Sequence, residues 1–586
     1  MVALPRDRLT WKLLTRILMS RFRNTRESQW FRNMVELSIL FVIVVMVLRA
    51  FVLEGYLIST GSMAPQLLGL HKQVKCPSCG FGFALGTTFD NSVDDDAAQT
   101  ATCPNCRQTG IQLQDVPAAH GDQLLVHKGI FDFRQPGRWE SVVFRNPATP
   151  GEAYVKRTAG LPGETIQLAD GDLFVESQIA RKDMLAVRSM RIPVYNDSFR
   201  PSEQHDWASP WQFGSGWSRS NGRIRFEEPK EPTEEGSWTR FRYWRRSGGA
   251  HFSEVAIFTP EAVQNWNECV NQMQNRPVTW LSRLAYDEDR QVLRLQGVMP
   301  PRMQQDLITW SKNDKFREAV FRLAALSHLA PVTDHYGYNS GLPATESIVH
   351  DLGLSIRLRD LNGLQLVRAR LPAGHHVFEL QLDLQNRSAS LLRLNGPGSE
   401  SGEKVRHSEN LELLDSDGEL FLEWSGFDRR VLACINGAQI FAEYDIPRTL
   451  KDTQDQLPDQ WQSPAELAEK SAAAVERQRK LAISLTGGSA EVSDFVVYRD
   501  VHYTPGRMKN AVKAPLKIPA GHYFVLGDNS PVSADSRNWE SPFVPHHLLI
   551  GKPFVVHLPS RPGKVSVGGV ELPIRIPDWS RIRYIY

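Results

Sequence analysis

Glu152-Ala153-Tyr154-Val155-Lys156-Arg157-Thr158-Ala159-Gly160-Leu161-Pro162-Gly163-Glu164-Thr165-Ile166-Gln167-Leu168 is the stretch on which the fold class turns. Two strand-like runs rich in β-branched and aromatic residues flank Gly-Leu-Pro-Gly, a cluster that breaks a strand and turns the chain. The neighbouring segments GDQLLVHKG (121–129), ESVVFRNP (140–147) and GDLFVES (171–177) have the same form, each bounded by Gly or Pro. A β-rich unit is therefore expected over residues 121–176.

Toward the N-terminus, residues 1–33 carry eight Arg or Lys against two acidic residues, and Met34 to Leu53 is the most apolar stretch of the chain. Twenty residues of helix rise about 30 Å, one hydrocarbon core. The basic flank places the N-terminus in the cytoplasm and everything beyond Leu53 outside, as a single-pass anchor. A cleaved secretory signal has a similar pattern and is the rival reading.

Between residues 71 and 110, Cys76-Pro-Ser-Cys79 and Cys103-Pro-Asn-Cys106 form two C-x-x-C pairs. Such knuckles point four thiolates at one centre and suit a structural zinc, with no ligand position left open for catalysis. An oxidising exterior favours disulfides instead, so both readings stand. Cys269 and Cys434 lack a partner pattern and read as buried thiols.

At 586 residues the chain exceeds one hydrophobic core, and 41% hydrophobic with 23% charged residues argues against disorder over most of it. In the middle, Phe378, Leu380, Leu382 and Leu384 alternate with Glu379, Gln381 and Asp383, the period of a strand with one buried face. Asn436-Gly437 is a two-residue hairpin signal. These features suggest an antiparallel sandwich interrupted by one helix, opened by the capping box Ser463-Pro-Ala-Glu466 and running to about Ile483. Short strands return from Ile518 to Tyr586.

The expected architecture is mainly β. It comprises a basic segment (1–33), a transmembrane helix (34–53) and a β-domain in two parts (54–185 and 504–586). A zinc-ribbon-like insert (71–110) interrupts the first part, and a sandwich (186–503) separates the two. FLEWSGFDRRVLACINGAQIF (421–441) resembles concanavalin-like, LamG-type jelly rolls, which leaves an unidentified ligand of the sandwich as one open partner.

A serine hydroxyl becomes a nucleophile when a base takes its proton, and a lysine can do so if burial pushes its pKa down. Ser62 and Lys156, in Thr60-Gly61-Ser62-Met63-Ala64-Pro65 and Tyr154-Val155-Lys156, are the candidate pair. With Gly121-Asp122, Val142-Val143-Phe144, Gly527-Asp528-Asn529-Ser530 and Ser533-Ala534-Asp535-Ser536-Arg537-Asn538-Trp539, these segments resemble, in order, the boxes of type I signal peptidases. The resemblance implies Ser62 as nucleophile and Lys156 as general base. It implies an oxyanion hole from the Ser62 N–H and the Thr60 hydroxyl, and Ser533 orienting the lysine amine. Asp535, Arg537, Asp528 and Asn529 would support the site. It further implies preprotein substrates with small residues at −3 and −1, catalysis without a cofactor, and a catalytic domain on the outer face of a bacterial cytoplasmic membrane, against the lipid bilayer.

Three other classes fit these residues less well. A self-cleaving repressor with a Ser–Lys dyad would need a DNA-binding helix pair and no anchor. A surface binding protein with a degenerate peptidase part sits poorly with retention of Ser62, Lys156, Thr60 and Ser533. A zinc-ribbon nucleic-acid binder lacks basic or aromatic residues around the cysteines, and Asp94-Asp95-Asp96 opposes phosphate.

Overall fold

The computed structural model describes residues 26–585 except 88–99, 202–207, 221, 232–236, 246–251, 258, 275–279, 281, 340–345, 397–400, 449–463, 558 and 568–569. The basic segment before Arg26 and Asp94-Asp95-Asp96 thus lie outside the described residues, as does the start of the expected capping box at Ser463.

An apolar helix spans Arg26–Val47 and passes through a π-helical turn, Leu48–Val52, into the strand Leu53–Leu57. The helix therefore includes part of the basic flank, eight residues before the expected start at Met34. Trp30–Val47 is long and apolar enough to cross a membrane, by length and composition. No linker follows it, because Leu53 already pairs with His127 in the first sheet.

That sheet brings together three distant parts of the chain. Its order is Leu53–Leu57, Gln123–Lys128, Leu549–His557, Ser141–Arg145, Ala153–Gly160, His522–Leu526 and Val544–Pro545, with Arg583–Tyr584 paired to Leu549–His557. Every pairing is antiparallel. A second sheet, of Thr165–Ala169, Asp172–Val175, Gln178–Ile179 and Leu516–Lys517, also joins residues from both sides of the long intervening region.

The intervening region leaves and returns at one place: Ile192–Asn196 pairs with Ser489–Arg499, Ile192 standing opposite Arg499. Chain ends that meet this way allow a large insertion without disturbing the host sheet. Between them a nine-stranded and a seven-stranded antiparallel sheet share one apolar core, in which Leu354, Ile356 and Leu358 of one sheet and Ala369, Leu380 and Leu382 of the other are buried. Asn436 and Gly437 take left-handed φ values of 49° and 87°, the backbone of a type I′ hairpin turn between Arg430–Ile435 and Ala438–Gln439.

Two expectations about the middle region need correction. The helix expected to reach Ile483 ends at Gln478, and Ala482–Thr486 is a strand in the core of the seven-stranded sheet. Tertiary pairing overrides a helical composition there. More substantially, one helix is not all the region holds. Helices Pro260–Met273, Pro301–Trp310 and Asp314–Ser327 pack on a three-stranded sheet of Phe252–Ala256, Leu284–Asp287 and Val292–Gln296, around a core separate from that of the sandwich. The signal was present: Ala262, Trp266, Cys269 and Met273, all buried, recur at the helical period.

Candidate active site

The loop that carries Ser62, the candidate nucleophile, is closed at its base by Gly121-Asp122. Ile58 N–H donates to the Asp122 carbonyl, and the Asp122 N–H to the Leu68 carbonyl (2.9 and 2.8 Å). The Asp122 carboxylate accepts from Leu68 N–H at 2.9 Å and from Arg581 at 2.6 Å. A Cβ on Gly121 would lie 1.9 Å from the Ile58 carbonyl oxygen, so only glycine allows this closure. Within the loop, Ala64 N–H donates to Gly61 O and Leu67 N–H to Met63 O, a short helical turn directly after Ser62.

Strand Ala153–Gly160 presents Lys156, the candidate base. Alternation along a strand sends neighbouring side chains to opposite faces. Lys156 accordingly meets the nucleophile loop, and Arg157 goes the other way. Lys156 Nζ donates to Ser62 Oγ at 2.7 Å and to the Val155 carbonyl at 3.1 Å, and only 3% of the lysine is exposed. Loss of hydration pushes its pKa down to about 8, against opposing attraction from Asp535 and Asp528. Both carboxylates are already engaged. Asp528 is held bidentately by Arg157 at 2.8 and 2.6 Å, and Asp535 by Arg537 at 2.9 and 2.6 Å, all four groups buried. Each arginine neutralises the carboxylate that would otherwise keep the lysine charged.

The remaining expected residues fall around this pair. Thr60 Oγ1 lies 3.5 Å from Ser62 Oγ, on the nucleophile's side of the loop. Asn529 grips the loop from beneath, its N–H donating to Ser62 O (3.0 Å) and its Nδ2 to Gly61 O (2.9 Å). Asp535 also accepts from Gly527 N–H at 3.0 Å, and Arg537 donates to Ser530 Oγ and O at 2.6 and 3.0 Å, which fixes the loop between them. Ser533 differs from expectation: its Oγ is buried without a hydrogen-bond partner, so it makes no bond to Lys156 in this state. It stays beside the dyad, since a Cβ on Gly527 would meet Ser533 Oγ at 2.2 Å and Ser62 O at 2.5 Å.

A cleft of about 880 Å³ opens over the dyad. Ile58 to Met63, Tyr154 to Lys156, Val532 and Ala534 line it. Two contributors were not foreseen. Gly86 and Thr87 come from the cysteine-bearing module, and Tyr338 and Asn339 from the insertion. Asn339 and Asn529 exchange amide hydrogen bonds in both directions (2.7 and 2.8 Å). No local sequence signal announces a pair 190 residues apart.

The four cysteines of the module converge, their sulfurs all within 4.8 Å of one another, and could hold a metal ion. Cys76 Sγ lies 3.6 Å from Cys106 Sγ and Cys79 Sγ 3.7 Å from Cys103 Sγ. A disulfide needs about 2.05 Å. Tetrahedral thiolates about 2.3 Å from a zinc ion stand about 3.8 Å apart, so these spacings fit a metal centre. Both knuckles turn alike: Gly80 (φ 77°) and Arg107 (φ 61°) follow the second cysteine of each pair.

A family model described as signal peptidase, peptidase S26, matches residues 115–210 and 463–558. The first segment carries the lysine strand and the second the Asp528–Arg537 box. A signal peptidase I of Pseudomonas fluorescens is 32% identical over 111 residues, covering 17% of this chain and 36% of that protein. One of Pseudomonas aeruginosa is 38% identical over 77 residues, 12% of this chain and 24% of that protein. The chain thus spans about a third or less of these relatives' length. Among solved structures, the carbohydrate binding module CBM66 from Bacillus subtilis matches 26% of this chain and 75% of its own, at 7% identity and a TM-score of 0.14.

Proposed function

We propose that this protein is a membrane-anchored serine endopeptidase that removes N-terminal signal peptides from exported preproteins, cutting after small residues. The observation that carries the reading is the 2.7 Å contact between Ser62 Oγ and a buried Lys156 whose neighbouring carboxylates are occupied by arginines. The names of the similar proteins point the same way.

Ser62 Oγ attacks the scissile carbonyl as its proton passes to neutral Lys156. Negative charge on the tetrahedral oxygen is met by the Ser62 N–H and the Thr60 hydroxyl, donors worth about 3 kcal/mol each where they are preorganised. Collapse expels the amine, which takes the proton from Lys156, and leaves an acyl-serine. Lys156 then draws a proton from water, whose oxygen attacks the ester, and Ser62 leaves with that proton. Ser533, a buried hydroxyl lacking a partner, takes the role of orienting the lysine once substrate has displaced its contact with Ser62. Asp528, Asn529, Asp535 and Arg537 hold the loop and keep the lysine free of carboxylates.

The apolar helix is the anchor. Its N-terminal side lies in the cytoplasm and the catalytic domain on the outer face of a bacterial cytoplasmic membrane, with Ser62 near the bilayer surface where signal segments emerge. Hydrolysis needs no cofactor, and the cysteine cluster holds a structural zinc. Metal analysis of purified protein should find one zinc per chain; its absence with all four thiols oxidised sinks the zinc assignment. The decisive assay is cleavage of a preprotein in detergent or vesicles. Ser62→Ala should be inert while still inserting into the membrane, and full cleavage by that variant ends the dyad reading.

A further inference from the structure

The segment Asp334 to Asn339 belongs to the insertion yet reaches the dyad. Its path is fixed at every step. Arg499, at the insertion's exit, donates to the His335 carbonyl at 3.0 Å and lies over the Tyr336 ring. Tyr336 OH donates to the Asp528 carbonyl at 2.6 Å. Gly337 lies against Pro104 of the cysteine module, where a Cβ would come within 2.8 Å of it. The Tyr338 carbonyl accepts from Gly86 N–H at 2.9 Å, and its hydroxyl donates to the Leu70 carbonyl at 3.1 Å. Asn339 completes the path with the amide pair to Asn529.

Tyr338 occupies the space that a side chain at position 61 would fill. A Cβ on Gly61 would lie 2.1 Å from its ring, and one on Gly86 2.4 Å. The ring also packs with Ala64 and Leu68 of the nucleophile loop. It therefore stands beside Gly61, the residue preceding Ser62, tethered at its carbonyl and its hydroxyl, and lines the same cleft as Tyr154 and Val155. A ring held at both ends cannot swing aside to admit a larger substrate side chain.

We propose that Tyr338 is a specificity-determining residue, an aromatic wall supplied by the insertion that restricts the cleft to small substrate side chains next to the scissile bond. This rests on the peptidase reading above. A fixed wall discriminates by steric exclusion, and pocket contacts of one or a few methylenes are worth about 10- to 200-fold in relative turnover.

The test uses the full-length protein in detergent with two peptide series, identical except for Ala or Leu at −1 or at −3. The readout is the Leu/Ala ratio of kcat/KM. Tyr338→Ala should raise that ratio at least tenfold in one of the series. Tyr338→Phe, which keeps the ring and loses only the hydroxyl tether to the Leu70 carbonyl, should move it less than Tyr338→Ala does. Should Tyr338→Ala fail to fold, as judged by its melting transition, Tyr338→Leu serves in its place with a shift in the same direction. A ratio within twofold of the wild type in both series, from a folded ring-less variant that cleaves the Ala peptide, overturns the proposal. Ser62→Ala run alongside separates the two claims: an active Ser62→Ala removes the peptidase reading itself, whereas an inert one with unmoved ratios removes only the wall.

Discussion

Two buried lysines, one against Ser62 and one against carboxylates of the long intervening region, have opposite electrostatic fates. Lys156 and Lys182 are 3% and 2% exposed, so both lose nearly all their hydration. Lys182 recovers it from Asp428 (2.9 Å) and Asp500 (2.7 Å), two carboxylates of the insertion, and from the Trp139 ring 4.6 Å away. Those anions push its pKa well above the ordinary lysine value. Burial first, and repulsion between neighbouring carboxylates second, hold Asp351 and Asp428 up to about 6 and about 7. Lys156 makes no ion pair among the described residues, and its pKa falls to about 8. Burial alone thus does not make a base. What distinguishes the dyad lysine is that Arg157 and Arg537 have already taken the carboxylates nearest to it.

The strongest way to break this contrast is Lys156→Met. Peptidase activity should fall by at least about 10³-fold, since among the described residues Lys156 is the one basic group within hydrogen-bond reach of Ser62 Oγ. The same change should stabilise the fold. With a folded pKa of about 8 against 10.5, the unfolded chain binds more protons through that window, so stability rises with pH across it and the penalty is complete below about 8. Removing the ammonium at pH 7 should recover on the order of 3 kcal/mol, read by chemical denaturation. A destabilised, inactive variant would mean that Lys156 also has a structural role.

Lys182→Met should do the reverse. It leaves Asp428 and Asp500 buried without their cation, a loss of about 3 to 5 kcal/mol in denaturation, with activity per folded molecule near that of the wild type. A near-neutral stability effect would show the Lys182 site to be wetter than its burial implies.

The smallest expected effect sharpens the contrast without mutation. Below the Lys156 pKa of about 8, kcat/KM should climb about tenfold per pH unit and level off above it, roughly fiftyfold between pH 6 and pH 8. A flat profile over that range would place the working base elsewhere.

Residue patterns carried much of this. The strand signals around Lys156, the paired cysteines and the Asn436-Gly437 turn are local, and local propensity together with turn chemistry decides such features. The helices between Pro260 and Ser327 left a periodic trace that the surrounding strand and loop texture obscured. Ser533 was expected to hydrogen-bond Lys156 and does not, because a hydrogen bond depends on rotamers and competing partners, which spacing does not record. Tyr336, Tyr338 and Asn339 had no signature at all, because nothing in DHYGYN (334–339) distinguishes it from any surface loop.

The amino-acid sequence by itself determined the β class, the apolar helix, the order of the boxes and the chemical types of the dyad, since these depend on residue identity and short-range pattern. Only the tertiary structure decided that Lys156 is stripped of anionic partners, that Lys182 is not, and that the insertion returns at Arg499 to set Tyr338 against Gly61. Desolvation and Coulomb interactions act through space, and the groups responsible lie hundreds of residues apart along the chain.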